Sequence, residues 1–368
     1  MTAGGPARLV LSGVEEAPGL AQAVAAAHGH ARFVEGRLEV TAAPERLIHA
    51  AGRVGGAPAA AAMRAAVLPA VAAWLAPPPD LVTPAGRLPT ASRPTVMGVL
   101  NVTPDSFSDG GVAIGAEDHP RTALEAGAAL FEAGADLVDV GGESTRPGAA
   151  SVDEAEELRR VLPVVEGLAA AGGIVSIDTT KAAVARAAVA AGAAIVNDVS
   201  AGRDDPALLP TVAELEVPYV LMHRQGTPRT MQQDPTYVDV VGEVFDELAD
   251  GLAALESAGV ARDRVVIDPG IGFGKTLQHN LALLRHLRGF TSLGRPVLLG
   301  TSRKSFLGRL TGVDEAERRL EGSLATAVLG VEAGASLLRV HDVLATVRAV
   351  VVAHAVRTGE EGPWTASP

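Results

Sequence analysis

The sequence predicts an α/β protein whose main part is a (β/α)8 TIM barrel, preceded by a small N-terminal α+β extension. Short runs rich in Val, Ile and Leu alternate with longer stretches rich in Ala, Leu and Glu, which is the pattern of a parallel sheet covered by helices on both faces. Eight such runs follow one another, and nearly every run stops at a polar or ionisable residue. An open doubly wound sheet usually has about five to seven strands, so the closed barrel is the better prediction.

Residues 1–76 are predicted to form an accessory α+β module of unknown role. Segments 8–12 and 33–40 are predicted strands, and Ala-rich segments with a helical spacing of apolar residues lie at 17–28, 44–53 and 57–76. Segment 77–94 is predicted to be a Pro-rich connector that includes a hairpin at the bottom of the barrel. The barrel itself is expected to span residues 95–358.

The barrel strands are predicted at the eight apolar runs, which are residues 96–101, 136–141, 174–178, 194–198, 219–223, 265–268, 297–302 and 337–341. Predicted helices between them include residues 120–134, 151–171, 181–191, 237–258 and 314–333. The polar residues that end the runs are Asn101, Asp139, Asp178, Asn197 with Asp198, His223, Asp268, Ser302, and Arg339 with His341. At one strand such a residue only marks where the core ends. Eight in succession predict a functional site, because barrel enzymes carry their chemistry at the carboxyl ends of the strands.

The composition excludes several classes of protein. The chain has 31 Lys and Arg against 43 Asp and Glu, a formal charge of −12, which argues against a general nucleic-acid binder. It has no cysteine, so disulfides, iron–sulfur clusters, Cys nucleophiles and Cys-based zinc sites are excluded. The N-terminal residues lack a secretory pattern, and the longest apolar stretch contains Arg64 and Pro69. A cytoplasmic protein with no membrane or nucleic-acid partner is expected.

Two loops carry polar groups suited to a phosphorylated ligand. Segment 101–111, NVTPDSFSDGG, offers an amide oxygen and two carboxylates, the hard oxygen ligands that suit an Mg²⁺ ion in contact with phosphate. Alone, a loop of Asp, Ser and Gly is usually a turn, but the length of this one favours function. Segment 141–148, GGESTRPG, contains a Thr and an Arg that could grip an anion. A turn with a solvated Arg is an equally good interpretation of that second loop.

A third set of residues predicts a binding pocket. Asp178, Asn197 and Asp268 should converge in a barrel, and buried carboxylates need partners. A heteroaromatic ligand with N–H groups would supply them; the alternative is ion pairing with Arg303 or Lys304. Segment 269–276, PGIGFGKT, fits neither the P-loop nor the dinucleotide-binding pattern. No nucleophile motif is present either, so the site is expected to bind a charged leaving group and to orient two substrates.

These motifs closely resemble the dihydropteroate synthase family of folate biosynthesis, the target of sulfonamide drugs. The matching segments are 97–111, 139–149, 176–184, 195–200, 220–232, 266–275, 298–308 and 339–343. The resemblance implies a transferase that condenses 6-hydroxymethyl-7,8-dihydropterin diphosphate with para-aminobenzoate, giving 7,8-dihydropteroate and diphosphate. It also implies Mg²⁺ as cofactor and a homodimer.

The resemblance assigns roles to individual residues. Asn101 corresponds to the family's Mg²⁺ ligand. Pterin contacts are implied for Asp178, Asn197, Met222, Asp268, Phe273 and Lys304. Diphosphate contacts and loop closure are implied for Thr145, Arg146, Arg339 and His341. The para-aminobenzoate pocket would be bordered by Phe107, Pro147 and Ser305. Asp109 would stabilise the developing cation, and with Lys304 and Arg146 it forms the expected catalytic group.

Two alternatives remain open from the sequence: a non-catalytic pterin-binding paralogue and a pterin-dependent methyltransferase, whose barrel is related. Intact metal, diphosphate and para-aminobenzoate positions argue against the first. Methyltransferases lack the paired loops 101–111 and 141–148. The extension 1–76 is a departure from the family pattern, because typical members begin near the equivalent of residue 80; oligomerisation, a partner site or a cap on the barrel are possible roles for it.

Overall fold

The computed structural model describes residues 7–11, 30–34, 37–42, 77–103, 119–144 and 151–359. The chain forms two compact units, one of residues 1–78 with 285–295 and the other of residues 79–284 with 296–368. The five predicted strand and helix segments of the extension fall in the first unit, and the predicted barrel falls in the second apart from residues 285–295.

The first unit contains an antiparallel sheet of three strands in the order β1-β3-β2. These strands are β1 (Ala7–Leu11), β2 (His30–Val34) and β3 (Arg37–Ala42), and the unit also includes a 3-10 helix at Leu287–Leu293. The prediction of one strand over 33–40 is wrong, because Val34 pairs with Arg37 and the chain reverses between them. The Gly in the sequence FVEGRLEV is a hairpin signal that this prediction overlooked. The predicted helices 17–28, 44–53 and 57–76 lie outside the described residues.

The second unit is a barrel of eight parallel strands. They are β6 (Thr95–Asn101), β7 (Leu137–Gly141), β8 (Val175–Asp178), β9 (Ile195–Asp198), β10 (Tyr219–Met222), β11 (Val265–Asp268), β12 (Leu298–Leu299) and β13 (Leu337–Val340). Each strand pairs with its sequence neighbour, and β13 returns to pair with β6. A parallel bridge between Ile267 and Val297 links β11 to β12 and closes the ring. The predicted (β/α)8 barrel is thereby confirmed.

Helices follow the strands in the described residues. They are α1 (His119–Glu132), α2 (Glu154–Ala170), α3 (Ala182–Ala190), α4 (Leu208–Leu215), α5 (Val240–Ser257), α6 (Leu277–Arg285), α7 (Ser305–Thr311), α8 (Leu320–Glu332) and α9 (Val343–Thr358). Single 3-10 turns lie at Arg262–Arg264 and Ala316–Arg318. All five predicted helices are present, although α2, α5 and α8 begin later than expected. Strand β12 is shorter than the predicted 297–302, because the chain turns where the amide of Lys304 donates to the carbonyl of Thr301.

A short hairpin belongs to the amino end of the barrel. Its strands are β4 (Leu81–Thr83) and β5 (Gly86–Leu88), and Leu81 pairs with Leu88. Both leucines are fully buried in an apolar cluster with residues near the starts of the barrel strands, which are Met97, Leu137, Ile195, Val220, Val266, Leu298 and Leu337. Burying a Leu side chain contributes about 2 kcal/mol. The amino end of the barrel is thus stabilised by apolar contacts, whereas the polar side chains at the strand ends lie at the opposite, carboxyl end.

In the part of the chain that the structure describes, no helix combines the length and apolar character needed to cross a membrane.

Candidate active site

A cluster of charged and amide side chains lies inside the carboxyl end of the barrel. Alternate residues of a strand face the same side, so the interior positions above the apolar cluster are polar on several strands. Asp139, Asp178, Asn197 and Asp268 are buried there, and Arg339 is partly exposed. The structure brings together all of the pterin-contacting carboxylate and amide residues that the sequence predicted at strand ends.

Arg339 links two of the carboxylates. Its Nε donates to Asp139 Oδ2 at 2.7 Å, and its Nη2 donates to Asp178 Oδ2 at 2.7 Å. Asn197 Nδ2 donates to the same Asp139 oxygen at 2.9 Å. Arg303 does not provide the alternative partner for the buried acids, because it forms its ion pair with Asp342 at 2.6 Å. Arg339 therefore donates to two carboxylates of the protein itself, whereas the sequence predicted that it contacts the diphosphate of a ligand.

The environment of Asp178 opposes its ionisation. Burial raises the pKa of Asp178 to about 7, although the Arg339 charge acts in the other direction. The like charges of Asp139, Glu157 and Asp198 are smaller contributions to the same rise in the pKa. Near neutral pH, Asp178 can therefore exist both as a carboxylate and as a neutral hydrogen-bond donor.

Asp268 ends β11 and is fixed by the glycine turn that follows. The backbone amide of Gly270 donates to Asp268 Oδ1 at 2.7 Å, and Gly270 has a φ of +68°. A Cβ at this position would lie 1.9 Å from the carbonyl oxygen of His223, so only glycine allows this approach. Burial raises the pKa of Asp268, while the positive charge of Lys304 lowers it.

Lys304 and Phe273 lie against each other beside this turn. Lys304 Nζ is 4.6 Å from the centre of the Phe273 ring, within cation–π range, and it donates to the carbonyl of Ile271. Burial lowers the pKa of Lys304 to about 8, against the raising effect of Asp268. An ammonium held on a ring face next to a carboxylate is suited to a flat heteroaromatic ligand. Met222 is buried on the neighbouring strand and pairs with Asp268 in the ladder.

His341 and Ser305 border the same end of the barrel. His341 Nδ1 is 3.1 Å from Ser302 Oγ, which also accepts the His341 backbone amide at 3.1 Å. Ser305 is exposed and is the first residue of α7. Asn101 is half-buried at the end of β6, where it pairs with Gly141.

The remaining predicted site residues lie outside the described residues. They are Phe107, Asp109, Thr145, Arg146 and Pro147. The described start of the second loop is held by ion pairs: Lys181 Nζ bonds Glu143 at 2.5 Å and also bonds the buried Glu157. Arg160 Nη1 donates to the carbonyl of Gly142 at 2.8 Å. These contacts anchor the chain that leads to residues 145–147.

Two buried residues of the site were missed by the sequence interpretation. Lys275 is 3 % exposed, lies 2.9 Å from His223 Nδ1 and donates to the carbonyl of Phe273 at 3.0 Å. Burial lowers its pKa to about 7. The other is Asp139, which received no role although it interrupts an apolar run. In both cases the signal was a charged residue inside an otherwise apolar or Gly-rich segment.

No group of three or more His, Asp or Glu side chains suited to a metal occurs among the described residues. Asn101, the predicted Mg²⁺ ligand, lies within the described residues. Mg²⁺ commonly keeps several waters and binds through one or two protein groups plus substrate phosphates. A single amide oxygen at the rim fits that coordination.

Comparison with known proteins identifies the family to which the chain belongs. Residues 97–341 match the family model described as "Pterin binding enzyme". The dihydropteroate synthase of Escherichia coli is 47% identical over 271 residues, which are 73% of this chain and 94% of that protein. Two structures of Xanthomonas albilineans dihydropteroate synthase are also similar, and each match covers 76% of this chain and 99% of theirs. The complex with 4-aminobenzoic acid has 50% identity and a TM-score of 0.71, and the complex with 7,8-dihydropteroate has 47% and 0.69.

Proposed function

Because the chain belongs to the dihydropteroate synthase family of pterin-binding enzymes, we propose that the polar cluster at the carboxyl end of its barrel binds and orients the pterin substrate. The enzyme is a transferase that makes 7,8-dihydropteroate. It condenses 6-hydroxymethyl-7,8-dihydropterin diphosphate with para-aminobenzoate and releases diphosphate. The observation that supports this site most strongly is that Asp178 and Asn197 pair on neighbouring strands and are linked through Asp139 and Arg339, whose charge also acts on the buried Asp268.

The reaction exchanges one bond for another at the pterin methylene carbon. The C–O bond to diphosphate breaks, the C–N bond to the arylamine forms, and the amine nitrogen gives up one proton. No protein nucleophile is required, so the residues act by binding, orientation and charge. Acceptor oxygens of Asp178, Asn197 and Asp268 receive the N–H groups of the pterin. Two carboxylates around one Arg339 leave net negative charge near the pterin when both are ionised, which stabilises positive charge that develops on it.

Lys304 and Phe273 supply the face of the proposed pterin pocket, and Met222 its apolar floor. The proposed para-aminobenzoate pocket is bordered by Ser305 together with Phe107 and Pro147. We assign the diphosphate to Thr145, Arg146 and His341, and we assign Arg339, which bonds Asp139 and Asp178, to the pterin end of the site. Asp109 is proposed to stabilise the developing cation.

Mg²⁺ is the proposed cofactor, and Asn101 would hold it through its amide oxygen. The ion would neutralise charge on the diphosphate and so make it a better leaving group. Its binding is measurable without turnover, by calorimetric titration of Mg²⁺ in the presence of diphosphate. Asn101→Ala should weaken that binding, and unchanged binding would remove Asn101 from the site.

We also propose that the enzyme is a cytoplasmic homodimer. Large apolar side chains are exposed on the adjacent helices α8 and α9, with Leu329 67%, Val352 63% and Val356 82% exposed. Val352 and Val356 are one turn apart and share a helix face. A second copy of the chain would cover this surface. Analytical ultracentrifugation should find a dimer, and Val352→Lys with Val356→Lys should give monomers; a monomeric parent protein would contradict the proposal.

The activity is tested by incubating the protein with the pterin diphosphate, para-aminobenzoate and Mg²⁺. We expect 7,8-dihydropteroate by mass spectrometry and one diphosphate released for each product molecule. A protein that binds the pterin without product would be the non-catalytic paralogue. Corrinoid-dependent loss of methyl from methyltetrahydrofolate would indicate the methyltransferase instead.

A further inference from the structure

Asp139 is a carboxylate in the middle of a buried strand, and no motif assigns it a role. All five residues of β7 are buried, and Asp139 is 0 % exposed. Leu137, two residues earlier, belongs to the apolar cluster inside the barrel, so Asp139 points into the same interior. A charge at that depth is strongly unfavourable unless it is paired, so its retention requires an explanation.

One oxygen of Asp139 joins two other strands to β7. Asp139 Oδ2 accepts a hydrogen bond from Asn197 Nδ2 at 2.9 Å and one from Arg339 Nε at 2.7 Å. Arg339 continues to Asp178 Oδ2 at 2.7 Å. Asp139 is therefore bonded directly to one proposed pterin contact, Asn197, and through Arg339 to a second, Asp178.

The chemistry of these groups fixes the orientation of the Asn197 amide. An ionised carboxylate only accepts hydrogen bonds, so the amino group of Asn197 must face Asp139. The Asn197 backbone carbonyl accepts the amide of Thr179 at 3.0 Å, but no described residue donates to the side-chain oxygen, Oδ1. That side-chain oxygen is therefore available to accept an N–H group of a pterin. If the Asn197 amide were flipped, its amino group would instead face the N–H groups of the pterin, and two donors would oppose each other.

We propose that Asp139 is a positioning residue for the pterin: it orients Asn197 as a hydrogen-bond acceptor and holds Arg339 beside Asp178. The inference rests on the proposed role of Asn197 as a pterin contact. Asp139 Oδ1 is buried and has no hydrogen-bond partner among the described residues. Buried polar atoms without partners are rare in folded proteins and require an explanation. The buried charge of Asp139 is explained by its other oxygen, Oδ2, which positions Asn197 and Arg339.

The first test is Asp139→Asn, which keeps the volume and removes the charge. An amide at position 139 both donates and accepts, so Asn197 could face it with either its amino group or its oxygen. The orientation that leaves the Asn197 side-chain oxygen available to the pterin is then no longer fixed. We expect the Kd of 6-hydroxymethylpterin, measured by calorimetry, to rise by about 10- to 100-fold, because a buried hydrogen bond to a charged group is replaced by a mismatched one. The KM for the pterin diphosphate should rise with it, while the KM for para-aminobenzoate stays within about twofold.

Asp198→Asn is the matched control for burial. Asp198 is also 0 % exposed and lies on β9, but it accepts from Ser200, Gly202 and the Tyr219 hydroxyl. This variant should lower the Tm and leave the pterin Kd within about threefold. The inference is overturned if Asp139→Asn binds the pterin within twofold of the parent protein, or if Asp198→Asn weakens binding equally.

A swap of the two side chains provides a rescue. In Asp139→Asn combined with Asn197→Asp, the amide at position 139 donates to the carboxylate at position 197, which again presents an acceptor oxygen. The swap should bind the pterin at least about fivefold more tightly than either single variant, because the two sites are directly coupled. Should Asp139→Asn fail to fold, the comparison with Asn197→Asp alone decides, and a swap that binds no better contradicts the inference.

Turnover by the parent protein is measured in the same series. An inactive parent would remove the proposed function. An active parent whose pterin binding is insensitive to position 139 would remove only the role of Asp139.

Discussion

The two ends of the barrel are made from the same eight strands but bury opposite kinds of side chain. At the amino end, the hairpin leucines Leu81 and Leu88 are buried against apolar residues near the starts of the strands. At the carboxyl end, Asp139, Asp178 and Arg339 are joined by ion pairs. One end buries hydrocarbon, which stabilises the fold, and the other buries charge, which costs free energy unless ligand or protein groups compensate it.

This difference separates stability from binding along each strand. Changes at the amino end should alter the free energy of unfolding and leave substrate binding nearly unchanged. Changes at the carboxyl end should alter binding by more than they alter stability.

Leu81→Ala should have the largest effect on stability. It removes a fully buried side chain, so the free energy of unfolding should fall by about 3 kcal/mol in urea titrations. The KM for the pterin diphosphate should stay within about twofold. Val82→Ala on the same hairpin is the control: Val82 is 60% exposed, and its replacement should cost less than about 0.5 kcal/mol. Equal losses in both variants would contradict the role given to the hairpin core.

Asp178→Ala should have the largest effect on binding. It removes an acceptor of the pterin and one partner of Arg339, so the Kd for 6-hydroxymethylpterin should rise by about 100-fold in calorimetry. Glu214→Ala serves as control, because it breaks only the exposed ion pair with Arg186 and should leave that Kd unchanged. Undiminished pterin affinity in Asp178→Ala would exclude Asp178 from the site.

Arg339→Ala sharpens the comparison within the carboxyl end. The sequence interpretation predicts a selective loss of affinity for the diphosphate. The ion pairs with Asp139 and Asp178 instead predict that pterin ligands with and without diphosphate lose affinity by similar factors, of about 10-fold. Binding measured for both ligands decides, and a loss confined to the diphosphate ligand would restore the simpler anion role.

The pH dependence of stability should have its own signature at the carboxyl end. The pKa of Asp178 is raised from 3.8 to about 7 in the folded state, so between these values the folded protein binds more protons than the unfolded one. Its contribution to stability is therefore present below about pH 4 and is lost as the pH rises through about 7. Asp178→Asn lacks this titration. The parent protein should lose stability relative to Asp178→Asn across this range, and parallel pH profiles would refute the shift.

The barrel and the polar strand ends could be predicted because both are local patterns. Runs such as VVID, with an acid after apolar residues, indicate a buried strand and a site at its end. The partners inside the site could not be predicted in this way. Arg339 lies 200 residues from Asp139 in the chain, and their contact depends on β13 closing against β6.

The depth at which a residue is buried could not be predicted from the sequence either. Lys275 follows a Gly-rich turn and has the sequence context of a solvated loop residue, yet it is enclosed beside His223. The pairing of β2 with β3 was missed for a different reason, since only two residues separate the strands in the sequence and the segment was assigned to one predicted strand.

The central claim is that the pterin binds to the polar cluster at the carboxyl end of the barrel. It is tested most directly by a crystal structure of this protein with 7,8-dihydropteroate. We expect pterin nitrogen atoms about 3 Å from oxygen atoms of Asp178, Asn197 and Asp268, which is hydrogen-bonding distance. A pterin ring bound elsewhere, with these three side chains contacting only protein groups, would contradict it.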